Sequence, residues 1–310
     1  MDRFIAVAGP TASGKTALSL ALAEKYNGEI LSADAFQIYR KLDIGTAKIT
    51  QNEMLDIPHY MIDEYDADAE VSICTFTEKA RIYIETIDRK NKMPILVGGS
   101  GLYLDSIVYD SYDYNSDTID PIYRAELVEL DNIKGSDYLF SLLESADPEY
   151  AAITHPNNSN RVIRALEYIH ASGQKKSDIT KKKKYRYPNT LYFAINLDRN
   201  ILYERINNRV DDMIRRGLLS EVRQLLDLGY DQSNRSMQAI GYKELIPVLQ
   251  GTIELQDAIA QIKQNSRNYA KRQMTWFRRN HDIIWIDAMK YQTTKEMLSY
   301  AEGFINGNLS

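Results

Sequence analysis

Residues 4–26 read FIAVAGPTASGKTALSLALAEKY, and this stretch decides the fold. Phe4 to Ala8 is a short apolar run, enough for one buried strand and too short for a signal peptide or a membrane span. Gly9 and Gly14 then allow a tight loop, and from Lys15 onward leucine and alanine recur at helical spacing among good helix formers. A strand, a glycine loop and a helix in that order bring successive backbone N–H groups to one anion, with the positive end of the helix behind them. Lys15 adds a mobile positive charge, and the Thr16 hydroxyl can ligate Mg²⁺. Gly9, Pro10, Thr11, Ala12, Ser13, Gly14, Lys15 and Thr16 are therefore the expected phosphate-binding loop, with a plain glycine turn as the alternative.

Working outward, EILSAD reads as a second strand ending at Asp34, residues 72–91 as a long helix, and MPILVGG as a third strand stopping at Gly98-Gly99. Residues 190–198 (TLYFAINLD) and 282–287 (DIIWID) are further strands. Strands alternating with helices imply a parallel sheet covered on both faces. The expected class is α/β, a P-loop NTPase-like parallel sheet flanked by helices and built from residues 1–109 and 188–310. Between 110 and 187 no convincing strand appears and turn residues are frequent, so this segment is read as a mostly helical insertion domain.

Composition excludes several classes. Across 310 residues, 44% hydrophobic and 26% charged content is ordinary for a soluble domain, and the N-terminus lacks any targeting pattern, so a cytoplasmic protein with no membrane role is expected. A single cysteine, Cys74, rules out an internal disulfide or a multi-cysteine zinc module and is read as a small buried residue. The net charge of −5 conceals strong local asymmetry. Residues 110–150 hold eleven acidic and two basic side chains, residues 160–186 hold nine basic and two acidic, and residues 261–280 hold six basic and no acidic. A charge run is ordinarily a solvated face, but two cationic stretches around one phosphate loop point to a nucleic-acid partner.

An ATPase or GTPase would also need an acidic residue closing a second strand to hold Mg²⁺. The best candidate strand ends in Gly98-Gly99-Ser100-Gly101 instead, and no guanine-recognition motif is present. The acid at a strand end is Asp34, which in such sheets lies at the ligand crevice. There it can ligate magnesium, accept a proton from a nucleophile, or simply cap a helix.

GPTASGKT, SADAFQIYRKLDIGTAK, VGGSGLYLDSI, NRVIRALE, DDMIRRGLLSEV, QAIGYKEL and KRQMTWFRR occur in the order and approximate spacing of the tRNA dimethylallyltransferases (tRNA isopentenyltransferases), which the chain resembles over nearly its whole length. The resemblance implies that the phosphate loop holds the diphosphate of dimethylallyl diphosphate with Mg²⁺ on Thr16, and that the acceptor is N6 of the adenosine 3′ to the anticodon in the tRNA anticodon stem-loop. Asp34 matches the family's catalytic aspartate, and Ser100 and Arg124 match two positions bearing on the transition state. Arg209 is read as a further diphosphate contact or a surface salt bridge.

By the same resemblance, tRNA would be touched by Asp34, Ala35, Phe36 and Gln37, and by Asn160, Arg161, Val162, Ile163 and Arg164. Gln238, Ala239, Ile240, Gly241, Tyr242 and Lys243 match a third contact stretch, and Lys271, Arg272, Gln273, Trp276 and Arg278 a fourth. Trp276 and Phe277 can equally be core residues, the reading favoured for Phe277. Ser100 stands where threonine is common, Asn160 where glutamine is frequent and Phe36 where methionine is usual. The zinc-finger-like extension of eukaryotic relatives is not expected with one cysteine and four histidines, which favours a compact bacterial-type enzyme; a monomer is expected. A P-loop nucleotide or small-molecule kinase is the alternative, but it leaves both cationic stretches unexplained. An RNA-binding module with a decayed loop is opposed by the intact Gly14-Lys15-Thr16 and Asp34.

Overall fold

A computed structural model describes residues 3–110, 120–180 and 184–307, so Lys181 to Lys183 of the lysine run and residues 111–119 of the acidic segment lie outside the described residues. Strand β1 (Phe4–Ala8) is buried along its whole length, as a continuous apolar run must be when it has strands on both edges and helices over both faces. It lies between β4 (Met93–Gly98) and β5 (Thr190–Asn196), with Ile5 opposite both Ile95 and Leu191. Outside these are β2 (Gly28–Ala33), β6 (Ile284–Asp287) and the two-residue edge strand β3 (His59–Tyr60). All pairings are parallel, in the order β3-β2-β4-β1-β5-β6. Strand β3 leaves no trace in the sequence, because two residues are too few for alternation to register.

Side chains of a strand alternate between faces. Ile5, Val7, Ile95, Leu191, Phe193 and Ile195 share one face, where Leu18 and Leu22 of α1 (Lys15–Lys25) and Met297, Ala301 and Ile305 of α13 (Thr294–Gly307) cover them. Helices α2 (Ile73–Arg89) and α3 (Gly101–Val108) also pack on the sheet without joining that cluster, leaving them the opposite face. No helix among the described residues is long and apolar enough to cross a membrane.

The chain divides into two compact units, one of Met1–Val108 with Arg186–Ser310 and one of Tyr109–Tyr185. The second contains α4 (Pro121–Lys134), α5 (Ser136–Ala146), α6 (Pro148–Ala152), α7 (Ser159–Ser172) and α8 (Lys176–Thr180). Its own core joins Leu127, Leu139, Leu143, Tyr150, Val162, Ile163 and Leu166. The first unit continues after β5 with α9 (Arg199–Arg215), α10 (Leu218–Asp227), α11 (Tyr242–Leu249) and α12 (Leu255–Arg278).

Three of the sequence strings meet at the loop after Asp34. The Glu221 carboxylate of α10 accepts the N–H groups of Asp43 (3.2 Å), Ile44 (2.8 Å) and Gly45 (3.2 Å), and the hydroxyl of buried Tyr242 donates to it as well. Buried Lys48 donates to the Tyr39 carbonyl at 2.8 Å and pairs with Asp43 and Asp63, closing the same loop from inside. Glu221→Ala leaves those three amides and the Tyr242 hydroxyl without their acceptor. It is expected to lower the unfolding free energy by about 2–4 kcal/mol, read from urea denaturation.

Candidate active site

The loop Gly9–Thr16 leaves β1 and enters α1. Gly14, the residue before the helix, has φ 95°, a conformation that costs glycine little and any other residue considerably more. Ala12 also occupies the left-handed region, at φ 63°, and the Ser13 N–H closes the turn on the Pro10 carbonyl at 3.3 Å. The Ser13 hydroxyl is buried and has no hydrogen-bond partner, the kind of orphaned group that a bound anion would satisfy. Lys15 Nζ donates to the Pro10 carbonyl at 3.2 Å. Burial, then the Arg209 guanidinium, push the Lys15 ammonium down to about 8, while the Asp34 carboxylate pulls it back up. Arg209, on α9 and only partly exposed, is itself held below the usual guanidinium range by burial, again opposed by Asp34. Lys15, Arg209 and Asp34 thus act on one another's charge, and Arg209 is partly buried rather than on the open surface.

Sheet order explains how Asp34 comes to join that group. Strand β4 separates β1 from β2, so the ends of β1 and β2 are two strand spacings, roughly 10 Å, apart. Asp34 Oδ1 accepts the N–H groups of Phe36 (2.9 Å) and Gln37 (3.2 Å). No helix directly follows Asp34, so the helix-capping alternative is corrected: the carboxylate caps a turn, using one oxygen, which fixes the carboxylate plane. Oδ2 has no hydrogen-bond partner among the described residues, so it is the atom able to take a proton. Gln37 is anchored in turn by Ser32 Oγ at 3.0 Å and by the carbonyls of Thr46 and Ala47 at 3.2 and 3.4 Å.

Ser100 follows β4, between the ends of β1 and β2, and its carbonyl starts α3 through the Leu104 N–H at 3.0 Å. Tyr103 and Tyr269 feel the charge of the same carboxylate. Burial raises both phenols, and the Asp34 charge adds to the rise. Neither tyrosine is legible as a site residue from sequence, where an aromatic amid a helix reads as packing. Arg124 lies on α4 in the other unit, where its guanidinium meets both oxygens of buried Glu167 at 2.9 and 3.0 Å.

Helix α12 carries the C-terminal cationic stretch. Ala270, Gln273, Met274 and Phe277 recur at helical spacing and are buried, which turns Lys271, Arg272, Arg278 and Arg279 outward. Of the six cations counted from sequence, Lys263 is bound to Asp211 (2.7 Å) and Arg267 to Asn207 (2.6 Å), so the outward set is those four. Phe277 is core, as favoured from sequence. Trp276 is half-buried, and its Nε1 donates to Asp105 at 3.0 Å.

The other expected RNA contacts divide in the same way. Asn160 and Arg164 are exposed, and Arg161 is partly exposed beside the Tyr150 ring, 5.3 Å from its centre. Val162 and Ile163 instead sit in the core of their unit. Gln238 is exposed and Ile240 and Lys243 partly so, whereas Ala239, Gly241 and Tyr242 are buried. Ala35 and Phe36 are partly exposed. Gln273 is buried, its amide committed to Thr11 and Gly99. A surface contact by the side chains of Val162, Ile163, Ala239, Tyr242 or Gln273 is therefore corrected: adjacent residues on a helix face opposite ways, and a motif string includes both sides.

A family model described as IPP transferase matches residues 37–280. The chain belongs to the IPP transferase family. It is 46% identical over 303 residues to a tRNA dimethylallyltransferase of Bacillus cereus, covering 97% of this chain and 95% of that one. A crystal structure of a tRNA isopentenylpyrophosphate transferase from Staphylococcus epidermidis superposes with a TM-score of 0.73 at 41% identity, covering 99% and 100% of the two chains. A eukaryotic dimethylallyltransferase acting on tRNA superposes with a TM-score of 0.85 at 31% identity, covering 99% of this chain and 80% of that one.

For a member of this family, the depressed Lys15 value has a measurable consequence. An anion in the loop raises Lys15, so binding above about pH 8 takes up a proton and affinity falls as pH rises through that value. Calorimetry with inorganic diphosphate from pH 7 to 9.5 should show this decline in the wild-type protein. In Lys15→Arg, whose side chain stays charged, the decline beyond the titration of diphosphate itself should vanish.

Proposed function

We propose that the protein transfers the dimethylallyl group of dimethylallyl diphosphate to N6 of the adenosine 3′-adjacent to the anticodon in tRNA, releasing diphosphate. The grouping of Lys15, Arg209 and Asp34 carries this reading, in a chain matching tRNA dimethylallyltransferases along nearly its full length. The loop amides, the Ser13 hydroxyl, Lys15 and Arg209 bind the diphosphate. As the allylic C–O bond lengthens, negative charge grows on the leaving group, where these donors are already arranged.

The N6 lone pair of adenine is delocalised and weakly nucleophilic, so its attack gains from losing a proton as the N–C bond forms. Asp34 Oδ2 receives that proton. The products are the N6-dimethylallyl adenosine and diphosphate. Ser100 and Arg124 keep their roles near the transition state in this proposal.

The donor set suits Mg²⁺ bound largely through substrate oxygens. The Thr16 hydroxyl is exposed at the first turn of α1, and no group of three or more His, Cys, Asp or Glu suited to a metal occurs among the described residues. When bound, Mg²⁺ supplies further neutralisation of the departing diphosphate. On the RNA side, Lys271, Arg272 and Arg278 hold backbone phosphates, joined by Asn160, Arg161, Arg164, Gln238 and Lys243. The target base must leave its stack to reach Asp34. The protein is read as a monomer in this proposal.

Wild-type protein incubated with labelled dimethylallyl diphosphate, Mg²⁺ and unmodified tRNA is expected to label the tRNA without ATP. Labelling that required ATP, or phosphorylation of a small metabolite, would instead identify a kinase. Asp34→Asn should reduce transfer by about 10²–10⁴-fold with tRNA affinity nearly intact, whereas equal loss of both would make Asp34 structural. Replacing Lys271 and Arg272 by glutamine should weaken tRNA binding and flatten the log–log salt slope by about 1.5. An unchanged slope would move the RNA surface elsewhere.

A further inference from the structure

Gln273 is on the same helical turn as Lys271 and Arg272, yet it is only 5% exposed and faces the opposite way. Its Oε1 accepts the Thr11 N–H at 3.1 Å, and its Nε2 donates to the Gly99 carbonyl at 2.8 Å. The two backbone partners dictate this amide orientation, since one can only donate and the other only accept. Thr11 belongs to the loop after β1 and Gly99 to the loop after β4, and those strands are neighbours in the sheet. Tyr269 stands one turn earlier on the same helix, and the Asp34 charge adds to the rise that burial imposes on its phenol. Gly99 meets this amide so closely that a Cβ there would overlap Gln273 Nε2, while the next nearest atom, the Gly9 carbonyl oxygen, would stand at 3.3 Å.

The geometry points to Gln273 as a positioning residue of the diphosphate cradle: one buried amide on the cationic helix sets the phosphate loop and the β4–α3 loop against each other. Glutamine suits this because a single side chain must offer a donor and an acceptor at once. A charged residue offers only one of these and an apolar residue neither. The helix therefore serves two substrates, its outward cations taking RNA and its inward amide shaping the donor site. The RNA half rests on the function proposed above; the loop-setting half does not.

The test uses the full chain and inorganic diphosphate with Mg²⁺, followed by calorimetry, with Gln273→Met, Gly99→Ala and the double variant. Gln273→Met removes both hydrogen bonds at nearly constant volume, and Gly99→Ala displaces the same amide from the other side. Each single variant is expected to raise the diphosphate Kd at least tenfold. The double variant should be no worse than the poorer single one, because both changes break one contact. Melting temperature should fall by no more than several degrees, with the variants still folded at the assay temperature. The tRNA affinity should stay near wild type, and the KM for dimethylallyl diphosphate should rise while that for tRNA holds.

Wild-type diphosphate affinity in Gln273→Met, or fully multiplicative losses in the double variant, would overturn the inference. If Gln273→Met fails to fold, Gly99→Ala alone decides by the same Kd. If diphosphate binding is lost in the variants and wild-type protein never labels tRNA, the positioning role stands and the proposed function falls.

Discussion

Two cations held beside one carboxylate, in surroundings that disfavour charge, are the constraint on which the site depends. Burial, then the Arg209 guanidinium, lower the readiness of Lys15 to carry its proton, and Asp34 only partly offsets this. Such a group is poorly satisfied by itself and well satisfied by a multiply charged anion. The energy that holds like charges together comes from elsewhere in the fold, chiefly from the apolar layers between the sheet and its helices.

Parallel strand order turns that constraint into a reactive geometry. Strands β1, β4 and β2 run the same way and end at one edge. The first delivers the phosphate loop, the middle one Ser100, and the last Asp34. One strand therefore stands between the loop and the carboxylate. Carbonyls and amides after these strands are not left to solvent: Gln37 ties the 46–47 backbone, Glu221 caps residues 43–45, and Gln273 joins the loops after β1 and β4.

The helical insertion is a separate unit with its own apolar core, and its exposed surface is what that core leaves over. In α7, Val162 and Ile163 are used for packing, so Asn160, Arg161 and Arg164 are what it presents. Helix α12 shows the same division, with Phe277 inside and Lys271 and Arg272 outside. Motif strings join the two sorts of residue because neighbours in a helix point to different sides.

By itself the sequence determined the parallel α/β class, the glycine loop between the first strand and helix, the acid at the second strand end and the family, because these depend on local periodicity and on residues adjacent in the chain. Strand β3, two residues long, carries no such periodicity. Tertiary structure alone decided that Arg209 joins Lys15 and Asp34, that Glu221 serves residues 43–45, and that Gln273 turns inward to Thr11. Those partners lie far apart in the chain, and no local pattern encodes which side of a helix will face them. Only the packing of α9, α10 and α12 brings them together, since burial must leave each polar group a partner and the fold determines which partner is in reach.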